Sequence, residues 1–254
     1  MAVTTTEPKD LGYTPPSTKG LWSWITTIDH KRIGIMYAVA SLVFFLVGGL
    51  EALLIRAQLA TANGTLVSAD AYNQLFTMHG LTMLLVVVMP VGAAFMNYFI
   101  PLHIGARDVA FPRANAFSYW LFLGATIMLL SSFVLGGAPD GGWFGYAPLS
   151  TQLEEFVRMD YSAIGAQLLG IASIMASANF IATVLTMRTR GMTMLRMPVF
   201  VWMSLVVAFL LIFSLPSVSV GLFQLLLDRN AGFLFYVSAA GGDPLLWQHL
   251  FWFF

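Results

Sequence analysis

Cysteine is missing altogether from this chain of 254 residues. Disulfides, thiolate metal sites and iron–sulfur clusters are therefore excluded within it. Charge is scarce: 9% of the residues are Asp, Glu, Lys or Arg, where a soluble domain carries about 25%. The formal net charge is zero, which leaves no basic footprint for a nucleic-acid partner. A secretory signal is also lacking. The first twenty residues, MAVTTTEPKDLGYTPPSTKG, are polar, contain three prolines and have no apolar centre. Residues 1–20 read as a flexible or extended tail on the membrane surface. Residues 21–254 read as one membrane unit, without internal repeats or a soluble domain.

Hydrophobic residues make up 58% of the chain, and its mean hydropathy is +0.80. A water-soluble core cannot hide that much apolar surface, so the expected fold is all-α, a polytopic membrane helix bundle. A spanning helix needs about 20 apolar residues. Five stretches meet that requirement, at about 33–55, 75–100, 116–135, 161–187 and 197–227. The last contains Pro216, which removes a backbone donor and should kink the helix. A sixth stretch, LLWQHLFWFF, begins at Leu245 and reaches the last residue. Ten helical residues cover only about 15 Å, half a bilayer. The expectation is a fragment of a longer chain, preferred over one half of a split subunit. Fourteen methionines suit adaptable packing between helices or around a flat cofactor.

Orientation follows from the basic residues. Nine of the twelve fall on one side: Lys9, Lys19, Lys31, Arg32, Arg107, Arg113, Arg188, Arg190 and Arg196. Arg56, Arg158 and Arg229 fall on the other, with most of the acids, including Asp70, Asp140, Glu154, Glu155, Asp160, Asp228 and Asp243. The tail is therefore expected in the cytoplasm and the protein in the cell (inner) membrane. Gly/Pro-rich GGAPDGGWFGYAPL should face outward.

One histidine, His79, sits alone near the outer end of the apolar run QLFTMHGLTMLLVVVMPVGAAFMNYFIP. A bilayer makes an unpartnered ionisable group expensive. Two readings stand: a histidine bonded to a neighbouring carbonyl or hydroxyl, or an axial ligand to haem iron. Arg56, at the outer end of the first span, either snorkels to the interface or donates to a polar edge of that cofactor. Glu51, within the same span, has no assigned role. Asp108 lies in IGARDVAFPR on the inner side, either as a balanced loop charge or as the mouth of a proton path. Asn97, Asn115 and Ser118 lie close by in sequence, with Ser173 and Asn179 on the fourth span. Such amides and hydroxyls hold ordered water or serve as interhelical glue. Tyr72, Trp143 and Tyr146 suit an interfacial aromatic belt. Tyr72 and Trp143 also bring donors to the depth of His79. His30 and His103, at the inner interface, are given no metal role.

These stretches together resemble subunit I of the haem–copper terminal oxidases, of the cytochrome c oxidase type. The segments are TTIDHKRIGIMY, LLIRAQL, YNQLFTMHGLTMLL, NYFIPLHIGARDVAFPRANAFSYWL, GGWFGYAPL, SANFIATV, MPVFVW, LLLDR and GGDPLLWQHLFWFF. The family's subunit has a dozen spanning helices, and this chain resembles the first five and the start of the sixth. The resemblance implies that His79 is one axial ligand of a low-spin haem, of haem a type. Arg56 would contact that haem's edge, and Tyr72 and Trp143 would lie near its propionates. Asp108 would open the proton uptake pathway, with Asn97, Asn115, Ser118, Ser173 and Asn179 along it and Trp252 beside the copper centre. A second haem and copper would come only with the remaining part, so no catalytic residue lies in the chain itself. Implied partners are subunit II with its copper centre, subunit III, cytochrome c as electron donor, oxygen and membrane lipid. The alternatives are a quinol-oxidising member, or a non-catalytic haem binder if no continuation exists.

Overall fold

The computed structural model describes residues 20–151 and 156–254. The tail at 1–20 falls outside the described residues except for Gly20, and so do Glu154 and Glu155 of the acidic side. Among the described residues the regular structure is entirely helical. A short α1 (Trp22–Ile25) precedes α2 (His30–Gln58), α3 (Ala69–Leu81), a π-helical stretch (Thr82–Val88) and α4 (Met89–Ile104). Then come α5 (Pro112–Ser131), α6 (Phe156–Thr186), α7 (Val199–Asn230) and α8 (Pro244–Phe253).

Five of these runs are long and apolar enough to cross a membrane, α3, the π stretch and α4 forming one of them, Ala69–Ile104. The expected spans are all present, with ends displaced for local reasons. The first begins earlier, at His30, because the Asp29 side chain accepts from the backbone N–H of Lys31 and Arg32, a cap for donors that a helix start leaves unpaired. The third begins at Pro112, where a missing N–H costs nothing. It ends at Ser131, short of the expected 135, where Ser131 and Ser132 hydroxyls donate to the Met128 and Leu129 carbonyls. The fifth runs continuously through Pro216.

The second span contains an irregular stretch that hydropathy does not announce. The seven residues Thr82–Val88 are π-helical, and Met89 N–H donates to Leu84 O, five residues back. Pro90 follows directly and lacks the donor that a regular turn would use.

α2 packs on α3, α4 and α5, α5 on α6, α6 on α7 and α7 on α8, and α4 also packs on α6 and α7. Three apolar clusters result. One joins α2, α3, the π stretch and α5 around Tyr37, Met78, Phe122 and Leu129. A second joins α4, α6 and α7 around Ile100, Phe180 and Val201. The third joins α6, α7 and α8 around Leu225, Tyr236 and Trp247. Between them lies a cavity of about 490 Å³.

Candidate functional site

His79 stands in the last turn of α3 and is half-buried. Its Nδ1 lies 2.9 Å from the backbone oxygen of Gly48 in α2. A carbonyl oxygen only accepts, so Nδ1 carries the proton. In the neutral ring Nε2 then carries the lone pair, the state a metal requires, with the second nitrogen's hydrogen bond fixing the ring. This donor arrangement fits a haem iron at Nε2. Tyr72 is two turns earlier, on the same helical face, and half-buried. Arg56 is exposed and has no hydrogen-bond or ion-pair partner among the described residues. It lies eight residues beyond Gly48, about 12 Å along α2.

The loop that follows α5 is fastened to α3 beside His79. Ala138 N–H donates to Gln74 Oε1 at 2.9 Å, and Gly142 N–H donates to Thr77 Oγ1 at 2.8 Å. Trp143 then lies against Gly80, where a Cβ would come within 3.0 Å of Trp143 Cβ. Its ring meets Phe251 at 5.0 Å and Trp252 at 5.8 Å. Trp143 therefore touches both the His79 helix and α8. Trp252 Nε1 donates to Tyr146 Oη at 2.6 Å.

At the other end of the bundle, Asp108 sits in the loop between α4 and α5 and is half-buried. Its Oδ1 accepts from Val109 N–H at 2.7 Å. Burial pushes its carboxyl above the ordinary carboxylate range. The Val109 N–H and the neighbouring His30 ring oppose that shift, while Asp29 adds to it. His30 itself is 2% exposed, and its Nδ1 donates to Asn97 O at 2.8 Å. It ties the start of α2 to α4.

Asn97 and Asn115 are both fully buried. Asn97 Nδ2 donates to Ala93 O, leaving Oδ1 open, and neither amide atom of Asn115 has a hydrogen-bond partner. Ser118 Oγ donates to Asn115 O at 2.8 Å and meets Tyr37 Oη at 3.3 Å. Tyr37 reaches from there to the cavity wall, which Ser173 and Ser177 also line. Asn179 differs: both its amide atoms are engaged with the Phe111 backbone. Thr183 likewise takes Ala110 N–H. These two fasten the Asp108 loop to α6. Tyr37, His30, Ser177 and Thr183 do not stand out in the sequence as parts of a site, since each sits inside or beside an apolar run and its partners are remote.

Along α2, His30 and Gly48 are eighteen residues apart, so the polar cluster at His30 and the His79 contact are separated by about 27 Å. Among the described residues no group of three His, Asp or Glu side chains could hold a metal ion.

Comparison with known proteins gives consistent results. A family model described as cytochrome c and quinol oxidase polypeptide I matches residues 32–254. The chain is 46% identical over 234 residues to cytochrome c oxidase subunit 1 of Bacillus sp. (strain PS3), covering 92% of this chain and 38% of that protein. It is 43% identical over 236 residues to quinol oxidase subunit 1 of Bacillus subtilis (strain 168), covering 92% and 36%. It is 47% identical over 233 residues to the probable cytochrome c oxidase subunit 1-alpha of Streptomyces coelicolor, covering 91% and 40%. The chain thus spans about two fifths of the length of these relatives.

Proposed function

We propose that this chain, which belongs to the cytochrome c and quinol oxidase polypeptide I family, forms the low-spin haem wall and the proton intake of a proton-pumping terminal oxidase. Cytochrome c is the proposed electron donor and oxygen the acceptor, reduced to water at a haem–copper centre that the rest of the subunit would complete. Subunit II with its copper centre and subunit III are the proposed partners.

The observation that carries this reading is the 2.9 Å contact between His79 Nδ1 and the Gly48 carbonyl oxygen. With Nδ1–H held by Gly48 O, Nε2 is free to ligate iron and the ring cannot swing. Bound haem, of a type, supplies one-electron transfer. The residues of this chain do the rest. Tyr72, Trp143 and Arg56 offer O–H, N–H and guanidinium donors toward the outer side, where propionates would need them. Asp108 collects protons from the cytoplasm, the side to which the basic loops assign the N-terminus. Asn97, Asn115, Ser118 and Ser173 support a hydrogen-bonded water file inward, and Asn179 holds the mouth in place. The two ends lie far apart across a low-dielectric slab, so an electron arriving at one draws a proton at the other.

The test is His79→Ala in the complete oxidase. The low-spin haem absorbance should disappear while the second haem's remains. An intact low-spin band would remove His79 as the ligand. The donor is tested separately: oxidation of quinol but not cytochrome c by the purified complex would overturn the cytochrome c assignment.

A further inference from the structure

The loop that follows α5 runs along one stripe of α3. Gln74, Thr77 and Gly80 stand three residues apart, so they share a helical face. They meet the loop in order: Gln74 meets Ala138, Thr77 meets Gly142, and Gly80 meets Trp143. Both polar members are buried, Gln74 at 9% and Thr77 at 1% exposed.

Each contact has its own chemical reason. Gln74 Nε2 donates to Asp70 Oδ2 at 2.7 Å. A carboxylate only accepts, so the amide nitrogen faces Asp70 and the amide oxygen is left for Ala138 N–H. Arg158 Nη1, at the start of α6, holds the other Asp70 oxygen at 2.9 Å. Thr77 Oγ1 donates to Asn73 O at 2.9 Å. Its proton is thus committed within α3, and a lone pair takes Gly142 N–H at 2.8 Å. Gly142 adopts φ +81°, left-handed backbone that favours glycine, and Trp143 is the next residue. Gly80 has no side chain to lift the indole away: a Cβ there would stand 3.0 Å from Trp143 Cβ and 3.3 Å from its Cγ. The indole N–H groups of Trp247 and Trp252 donate to Phe144 O and Tyr146 Oη, whereas that of Trp143 makes no hydrogen bond among the described residues.

We infer that Thr77, backed by Gln74, is a positioning residue for Trp143. Its hydroxyl fixes the backbone one residue ahead of the indole. A donor N–H is thereby held against the helix that carries His79. This deepens the proposed function and rests on its reading of Trp143 as a donor to a haem propionate. A donor lost from an ionised propionate leaves more negative charge beside the haem and favours the oxidised iron.

In the assembled full-length oxidase, Thr77→Val, Thr77→Ser, Gln74→Leu, Trp143→Phe and the Thr77→Val/Trp143→Phe double variant are compared. One readout is amide hydrogen exchange over residues 138–143. The other is the reduced-to-oxidised ratio of the low-spin haem at fixed ambient potential. Thr77→Val should speed the exchange and lower the ratio, each several-fold. Thr77→Ser keeps the hydroxyl and should match the wild type in both. Gln74→Leu should change both in the same direction and lower the ratio less, because its bond lies four residues further from Trp143. Trp143→Phe should lower the ratio, and the double variant should lower it no further, since Thr77 acts through that indole. Should Thr77→Val fail to assemble, Gln74→Leu decides by the same two readouts. Unchanged exchange or an unchanged ratio in Thr77→Val, beside a fall in Trp143→Phe, overturns the positioning role and leaves the Trp143 reading standing. Effects that multiply in the double variant overturn it too, because Thr77 would then act on α3 directly. No fall in Trp143→Phe removes the Trp143 reading and the positioning role with it.

Discussion

Arg229 Nε donates to Asp160 Oδ1 at 2.7 Å, between the end of α7 and the start of α6, and each side chain is 2% exposed. Arg229 Nη1 also donates to Ser150 O at 2.8 Å, so the pair ties the loop between α5 and α6 to two helices. Two charges taken out of water are stable together and costly apart. Replacing Arg229 by Met should therefore lower the stability of the complex by about 3–5 kcal/mol. Changing Asp160 to Leu in the same chain should recover part of that loss, because no charge is then stranded. Thermal unfolding of the purified complex in detergent measures both. A double variant no more stable than Arg229→Met would show that the loop contacts, not the charge pair, carry the effect.

Asp108 gives a prediction in which stability and function move in opposite directions. Burial raises its pKa above the ordinary carboxylate range, so the folded protein holds that proton more tightly than the unfolded chain does. The group's contribution is most favourable below the unfolded pKa. It is lost as pH rises from there through the folded pKa, and above that the ionised carboxylate is a constant cost. Asp108→Asn removes this cost. At neutral pH the variant should be at least as stable as the wild type, and the difference should vanish below about pH 4, the usual Asp pKa. Proton uptake should nevertheless slow by about a hundredfold, the lower end of the effect of a positioned acid or base. Inactivation temperature across pH and proton uptake by the reconstituted complex are the two measurements. A variant that loses stability at pH 7 would contradict the burial argument.

Close packing of α2 on α4 makes a third prediction. A Cβ on Gly34 would come within 2.9 Å of Ala94 O and 3.1 Å of Tyr98 N, both backbone atoms. Neither can move without shifting α4. Gly34→Ala should then cost about 1–3 kcal/mol, the usual range for overpacking. Gly49, on the same helix, has nothing within 4 Å of where its Cβ would stand. Gly49→Ala should be neutral or slightly stabilising, since alanine is the better helix former. Thermal stability of the two variants side by side tests this, and equal losses would refute the packing account.

The spans were legible because hydropathy needs no partner: a run such as 33–55 is apolar whatever it packs against. His79 was legible for the complementary reason, as the one histidine in a run without Lys, Arg, Asp or Glu. The π stretch was not, since TMLLVVV has the composition of any apolar helix and only Pro90, two residues beyond it, hinted at an irregularity. Tyr37 was hidden because its partner, Ser118, is 81 residues away. His30 was hidden likewise, since its acceptor, Asn97 O, is 67 residues away. Distance along the chain erases such pairs from a reading of neighbours. Asn179 shows the same limit from the other side. Its amide is an obvious polar feature of SANFIATV, but nothing local says that both of its atoms are engaged by Phe111.

Tyr37 carries the last prediction. Its hydroxyl meets Ser118 Oγ at 3.3 Å, and its ring lies edge-on to Tyr119 at 5.0 Å and tilted against Phe122 at 5.3 Å. Tyr37 also lines the cavity that Ser173 reaches from α6. The ring serves packing, while the hydroxyl is the polar link between the Asn115–Ser118 pair and the cavity. Tyr37→Phe keeps the first and deletes the second. Stability should fall by only about 0.5–1.5 kcal/mol, the net worth of one hydrogen bond. Haem absorbance should be unchanged, because His79 and Gly48 do not touch this residue in any described hydrogen bond. Proton uptake should slow several-fold, and combining Tyr37→Phe with Ser118→Ala should slow it little further, since both remove the same link. Independent, multiplying effects in the double variant would mean that protons pass Tyr37 and Ser118 by separate routes.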